Sequence, residues 1–152
     1  MANRKPLLNE LFSRDGVLCR TPEETVCLGK EVSDLLEKGT VISLEGSLGA
    51  GKTQFAKGVA TALGCLDEAS SPSFTLAHEY SGGRFPLYHF DFYRLERVEE
   101  LDGIGYEDCL AAGGIVVEWG DRFPEALPSG TIRLIFEILP EGGRRIRGLR
   151  AL

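Results

Sequence analysis

Apolar positions along this chain switch repeatedly between a helical and a strand period. Leu28, Val32, Leu35 and Leu36 recur at helical spacing. Thr21-Pro22-Glu23-Glu24 ahead of them is a helix start, with Thr at the N-cap, Pro in the first position and Glu in the third. The pattern predicts a helix that begins after Thr21 and ends at Gly39. Residues 41–45 are a short apolar run that reads as a buried strand. Phe55, Val59, Ala62 and Leu63 then return to helical spacing, with Gly64 as a stop. Before all of these, residues 16–20 read as a first strand at the edge of a sheet.

The second half is richer in strands. Residues 74–80 and 85–90 flank Ser81-Gly82-Gly83-Arg84, which predicts a hairpin with a short glycine turn. Short helical pieces fit 98–101 and 106–112, and Gly113-Gly114 breaks the second. Residues 115–117 are an apolar run ending in Glu118-Trp119. Residues 131–139 alternate, with Ile132, Leu134, Phe136 and Ile138 on one face, and a last strand covers 145–149. Helices interleaved with strands, followed by further strands, predict an α/β sheet with an antiparallel portion.

At 152 residues the chain is read as one domain, with 1–15 and 150–152 as flexible ends. A net charge of −6 argues against a broad nucleic-acid-binding face, which needs clustered Lys and Arg. The exception is Arg144-Arg145-Ile146-Arg147-Gly148-Leu149-Arg150, read first as a solvated edge strand and second as a ligand-binding run. Cys19, Cys27, Cys65 and Cys109 are scattered without a C-x-x-C pair, which suits a reduced, cytoplasmic setting. No apolar run reaches signal-peptide length or the ~18 residues of a membrane span, so no membrane association is expected.

The strongest chemical signal is Gly46-Ser47-Leu48-Gly49-Ala50-Gly51-Lys52-Thr53, a full match to the phosphate-binding pattern G-x-x-x-x-G-K-[ST]. Its glycines let successive backbone N–H groups face a phosphate, and the following helix adds its N-terminal dipole. Lys52 would reach the β- and γ-phosphates, and the Thr53 hydroxyl would join a Mg²⁺ shell. Strand, loop and helix follow in the order the motif requires, so a nucleoside triphosphate with Mg²⁺ is the expected ligand.

A phosphate loop also needs an acid at the end of a neighbouring strand. Asp91, after Leu87-Tyr88-His89-Phe90, and Glu118, after Gly114-Ile115-Val116-Val117, both qualify. One would serve the metal, the other the attacking water; from the residues alone the two roles stay open. His89 reads as a structural strand histidine. Trp119 reads as a stacking platform or as a core or lid residue. Tyr93 and Arg94 read as support for Asp91 or as phosphate contacts, with a surface ion pair equally open for Arg94. The guanine-reading sequence Asn-Lys-x-Asp is missing, and there is little room for an acceptor-binding lid. Hydrolysis, or binding used as a switch, is therefore favoured over transfer to a small acceptor.

Four blocks in order, the phosphate loop, Ser71-Pro72-Ser73-Phe74-Thr75, His89-Phe90-Asp91-Phe92-Tyr93-Arg94-Leu95 and Glu118-Trp119, closely resemble the TsaE (YjeE) family of small bacterial P-loop ATPases. The resemblance spans about residues 22–145. It implies a three-layer P-loop sandwich whose mixed, mostly parallel sheet has antiparallel additions. It implies a cytoplasmic protein that binds ATP and Mg²⁺ and is needed for threonylcarbamoyladenosine at position 37 of tRNAs reading codons that begin with A. The implied partner is the TsaD–TsaB complex, through which tRNA is contacted indirectly; the chain alone is expected to be a monomer. Residue by residue, Gly46 and Gly49 to Thr53 match the phosphate loop, with Ala50, Gly51 and Lys52 within it. Thr53 and Glu118 match the metal ligands. Asp91 matches the acid needed for hydrolysis, acting with Lys52, and Ser71 to Thr75 a switch-like segment. Thr21 matches a position near the adenine, and Arg144 or Arg145 a late basic contact to the nucleotide; Trp119 is counted with the nucleotide-binding residues. Gln54 stands where the family usually has a second Thr or Ser, yet it still donates a hydrogen bond toward the α-phosphate. Gly120-Asp121 replaces the common Pro-Glu. The alternatives are a non-catalytic, ATP-gated binding module for the same complex and a small-molecule kinase.

Overall fold

The computed structural model describes residues 4–47, 49–65, 67–68 and 77–149. The elements run α1 (Arg4–Leu11), β1 (Val17–Cys19), α2 (Pro22–Val32), β2 (Val41–Gly46), α3 (Lys52–Ala62), β3 (Asp67–Glu68), β4 (Ala77–Ser81), β5 (Leu87–Asp91), α4 (Glu100–Gly103), α5 (Tyr106–Ala112), β6 (Gly114–Glu118), β7 (Ile132–Ile138) and β8 (Arg144–Leu149). Short 3-10 turns at Ser33–Leu35, Phe92–Arg94, Gly120–Arg122 and Pro124–Ala126 link several of them.

All the described strands belong to one sheet in the order β1-β8-β7-β2-β6-β5-β4-β3. The four central strands, β7, β2, β6 and β5, run parallel. On either flank the additions, β8 with β1 and β4 with β3, are antiparallel. This is the mixed α/β architecture expected from the strand pattern. Parallel neighbours in the centre bring the carboxyl ends of four strands to one edge, where ligands of open α/β sheets bind.

Side-chain alternation divides two cores across the sheet. Ile42, Leu44, Val116, Leu134 and Phe136 face α2 and α3, together with Phe55, Ala56 and Val59. Val41, Ile115, Val117, Phe90 and Phe92 face the other way, onto Leu101 and Tyr106. The Tyr106 hydroxyl donates to the Ala126 carbonyl at 2.9 Å and so ties α5 to the turn after β6.

Several local expectations differ in detail. Within the end read as flexible, Arg4–Leu11 form a helix, and Leu11 is completely buried. The first-strand expectation lands on the sheet edge, as β1. The α2 start is as read, with the Thr21 hydroxyl accepting from the Glu24 N–H at 3.1 Å. Its end comes earlier: α2 stops at Val32 and tightens into the 3-10 turn that carries Leu35, so Gly39 lies in a later turn. In β7, Leu134 and Phe136 are buried, but Ile138 is exposed where the helical layer ends. The start of the expected strand 74–80 lies outside the described residues.

α2 and α3 approach backbone to backbone. A Cβ at Gly29 would lie 2.2 Å from the Phe55 carbonyl oxygen, and one at Gly58 would lie 2.0 Å from that of Val26. Only hydrogen fits at either point. Gly58→Ala should therefore destabilise the protein by about 1–3 kcal/mol through overpacking, although alanine gains ~1 kcal/mol of helix propensity over glycine. A urea midpoint lowered with unchanged slope is the expected readout; a raised midpoint would mean the two helices do not touch there.

Candidate functional site

β2 ends at Gly46, and the chain turns through Gly49 (φ +79°) and Gly51 (φ +95°) into α3. These left-handed conformations are costly for any side-chain-bearing residue and natural for glycine. Gly51 is the N-cap of α3, so Lys52 and Thr53 occupy its first turn. The free N–H groups and the dipole of that turn face the space in front of it. Leu48 lies outside the described residues, as do Ser71 to Thr75.

Gly49, Gly51, Lys52, Thr53, Gln54 and Glu118 line one open cleft of about 290 Å³. Lys52 is only 4% exposed, and its Nζ donates to the Gly46 carbonyl at 2.8 Å. The same ammonium sits 4.1 Å from the centroid of the Trp119 ring. Burial pushes the Lys52 ammonium below the ordinary lysine value, while the carboxylates of Glu118, Asp91 and Asp121 pull in the opposite direction.

The two acids sit side by side. Asp91 and Glu118 are register partners at the ends of the parallel strands β5 and β6, and in such a pair both side chains leave the same face. Burial acts to raise the Glu118 carboxyl, but a hydrogen bond from His89, the charge of that ring and the charge of Lys52 together hold it below the usual carboxylate value. The His89 Nε2 to Glu118 Oε2 distance is 2.6 Å. Asp91 is more open. Its side chain accepts from the Tyr93 N–H at 3.1 Å, capping the turn Phe92–Arg94, and lies 3.8 Å from the Arg94 Nε. Tyr93 is 56% exposed and packs its ring 5.2 Å from that of Trp119.

The late arginines separate cleanly, because adjacent strand residues face opposite sides. Arg144 donates to the Gly49 carbonyl at 2.9 Å and so touches the phosphate loop. Arg145 points away, 3.5 Å from Asp15. Thr21 serves as the cap of α2, whereas Thr25, buried on the same helix, lies beneath Gly51. A second cleft, of about 390 Å³, opens beside Arg144 between Arg20, Leu139 and Gly142.

Three residues of this region have no site role in the sequence reading. His89, read as a structural strand histidine, bonds the Glu118 carboxylate instead, and its alternation with Asp91 on one strand is the signal that points there. Thr25 carried no signal beyond its place on α2. Behind the phosphate loop, on the other face of the sheet, Arg133 grips Glu45 with two bonds, at 2.7 and 2.8 Å. Among the described residues no group of three or more His, Cys, Asp and Glu gathers to hold a metal, and no helix is long and apolar enough to cross a membrane.

A family model described as "Threonylcarbamoyl adenosine biosynthesis protein TsaE" matches residues 19–146. The tRNA threonylcarbamoyladenosine biosynthesis protein TsaE of Treponema pallidum is 43% identical over 128 residues, covering 84% of this chain and 94% of that protein. Its namesake in Bacillus subtilis is 38% identical, covering 82% of this chain and 78% of that protein. Among solved structures, the crystal structure of Bacillus subtilis YdiB aligns with a TM-score of 0.68 at 35% identity, covering 86% of this chain and 80% of that one.

The Glu45 side chain is 6% exposed and that of Arg133 is 22% exposed, so removing one partner strands a charge. Arg133→Met should cost ~3 kcal/mol, the low end for a buried pair because the arginine is partly wet. Adding Glu45→Gln should return about half of that loss or more. Urea denaturation of the two single variants and the double variant checks both statements.

Proposed function

The chain belongs to the TsaE family, and we propose on that footing that it is a Mg²⁺-dependent ATPase serving threonylcarbamoyladenosine synthesis in tRNA through the TsaD–TsaB complex. The observation that carries the ATPase reading is the single cleft shared by the phosphate loop, Lys52, Thr53 and Glu118.

The donor set suits the ligands. A threonine hydroxyl and one carboxylate are hard oxygen donors, and Mg²⁺ favours one or two such groups completed by phosphates and water. When bound, the ion would neutralise charge on the phosphate oxygens. Thr53 and Glu118 would hold it. The backbone N–H groups from Gly49 to Thr53 would bind the phosphate oxygens. Lys52 would leave the Gly46 carbonyl and reach the β- and γ-phosphates, while Gln54 would face the α-phosphate. The nucleoside would extend toward Arg144 and the cleft beside it, with Thr21 at its rim. Arg144 is the nucleotide contact in this reading, and Arg145 is an ion-pair partner at the surface.

Asp91 would orient the attacking water. It stands on the strand next to that of Glu118 and keeps its carboxylate 38% exposed, within reach of solvent. Trp119 would close over the phosphate end. tRNA would be met only through the partner complex, which agrees with the net charge of −6.

ATP turnover is measured for the chain alone and with purified TsaD–TsaB. Strong partner-dependent stimulation that Glu118→Ala abolishes supports the reading. Complex formation promoted by ATP without hydrolysis above background replaces it with an ATP-gated binding module. In the same assay, Asp91→Ala should keep nucleotide binding and lose about 100-fold or more in turnover. Lys52→Ala should weaken nucleotide binding itself. Normal hydrolysis by Asp91→Ala within the complex would remove that residue from the mechanism.

A further inference from the structure

Glu118 faces two demands at once. It lines the cleft beside Lys52 and Thr53, yet a glutamate has several rotatable bonds and a cation close by. Left alone, its carboxylate would turn to Lys52, and both the phosphate-binding cation and the metal-binding oxygen would be spent on each other. The observed arrangement differs. Lys52 donates to the Gly46 carbonyl, and Glu118 is bonded through Oε2 to His89.

His89 is well placed to hold that carboxylate still. It lies mid-strand on β5, between β4 and β6. Its side chain is 9% exposed, and its ring packs 6.4 Å from that of His78 across the strand pair. An ionised carboxylate only accepts hydrogen bonds, so the Nε2–H of His89 donates to it. His89 is not among the residues lining the cleft, and its link to it runs through Glu118.

We propose that His89 is a positioning residue that fixes the Glu118 carboxylate through Oε2 and so presets its other oxygen for Mg²⁺. The proposal rests on the reading of Glu118 as a metal ligand given above. A histidine bonded to a ligating carboxylate is the outer support that metal sites commonly depend on, because it orients the ligand before the ion arrives.

The test is calorimetric titration of the whole chain with the non-hydrolysable analogue AMP-PNP, in EDTA and in MgCl₂. Wild type is compared with His89→Phe, which fills the space without a donor, and with His89→Gln, whose amide can reach Glu118. In His89→Phe the gain in affinity brought by Mg²⁺ should fall about 10-fold or more, while affinity in EDTA stays within about twofold of wild type. His89→Gln should recover most of the gain. A purely structural role would lower both affinities together, and thermal unfolding of each variant is recorded beside them. If His89→Phe does not fold, His89→Asn, whose amide stops short of Glu118, takes its place with the same expectations. The proposal is overturned if the donor-less variant keeps its Mg²⁺ gain, or if His89→Gln does no better than that variant. A wild type with no Mg²⁺ gain at all would instead remove Glu118 as a metal ligand, and the role of His89 with it.

Discussion

Lys52 carries a positive charge into a place where 4% of the residue meets water. Taking an ammonium out of water costs several kcal/mol unless its surroundings compensate. The compensation is built from separate parts of the chain: the Gly46 carbonyl, the face of Trp119, and the carboxylates of Glu118, Asp91 and Asp121. These groups come together only because β2, β6 and β5 are parallel neighbours. With one strand reversed, its acid would lie at the far edge of the sheet. The strand order is thus the condition for burying this lysine, which is the one cation among the described residues lining the cleft.

The phosphate loop is also held from outside the parallel centre. α2 backs α3 at backbone contact through Gly29 and Gly58, and Thr25 lies under Gly51. On the opposite flank Arg144 donates to the Gly49 carbonyl. That arginine comes from β8, one of the antiparallel additions, and β8 is itself paired between β7 and β1. The added strands therefore do more than lengthen the sheet. They deliver a fixed guanidinium to a loop whose glycines would otherwise leave it free to change shape. α1, with Leu11 completely buried, packs into the core on that same side.

What the sequence made legible was local. The Thr21 cap, the phosphate loop and the hydrophobic runs of β2 and β6 each announce themselves within a few residues. What it hid was pairing over distance. His89 and Glu118 are 29 residues apart, and Glu45 and Arg133 are 88 apart; no spacing rule links them. Arg144 and Arg145 could not be told apart because a one-residue shift in register exchanges the faces of a strand. α1 is only eight residues long, and Leu7, Leu8 and Leu11 supply barely one turn of helical spacing, too short a run to stand out from the mixed residues around it. Gly39 reads as the stop of α2, but the helix has already tightened at Ser33.

The step from Glu118 to Gly120 joins the two faces of the sheet. Glu118 faces the α3 side, and the turn Gly120–Arg122 packs on the other, above Ser43 and close to the Glu45–Arg133 pair. The residue between them, Trp119, is the single non-glycine with positive φ among the described residues, at +62°. Such a backbone costs of order 1–3 kcal/mol, and glycine would relieve it. Glycine would also remove the ring that lies over Lys52 and meets Tyr93. The strain and the aromatic contact therefore sit in one residue. The backbone N–H of Trp119 donates to the Leu44 carbonyl at 3.2 Å, so the strained residue is tied directly to β2, the strand that leads into the Gly46–Thr53 loop.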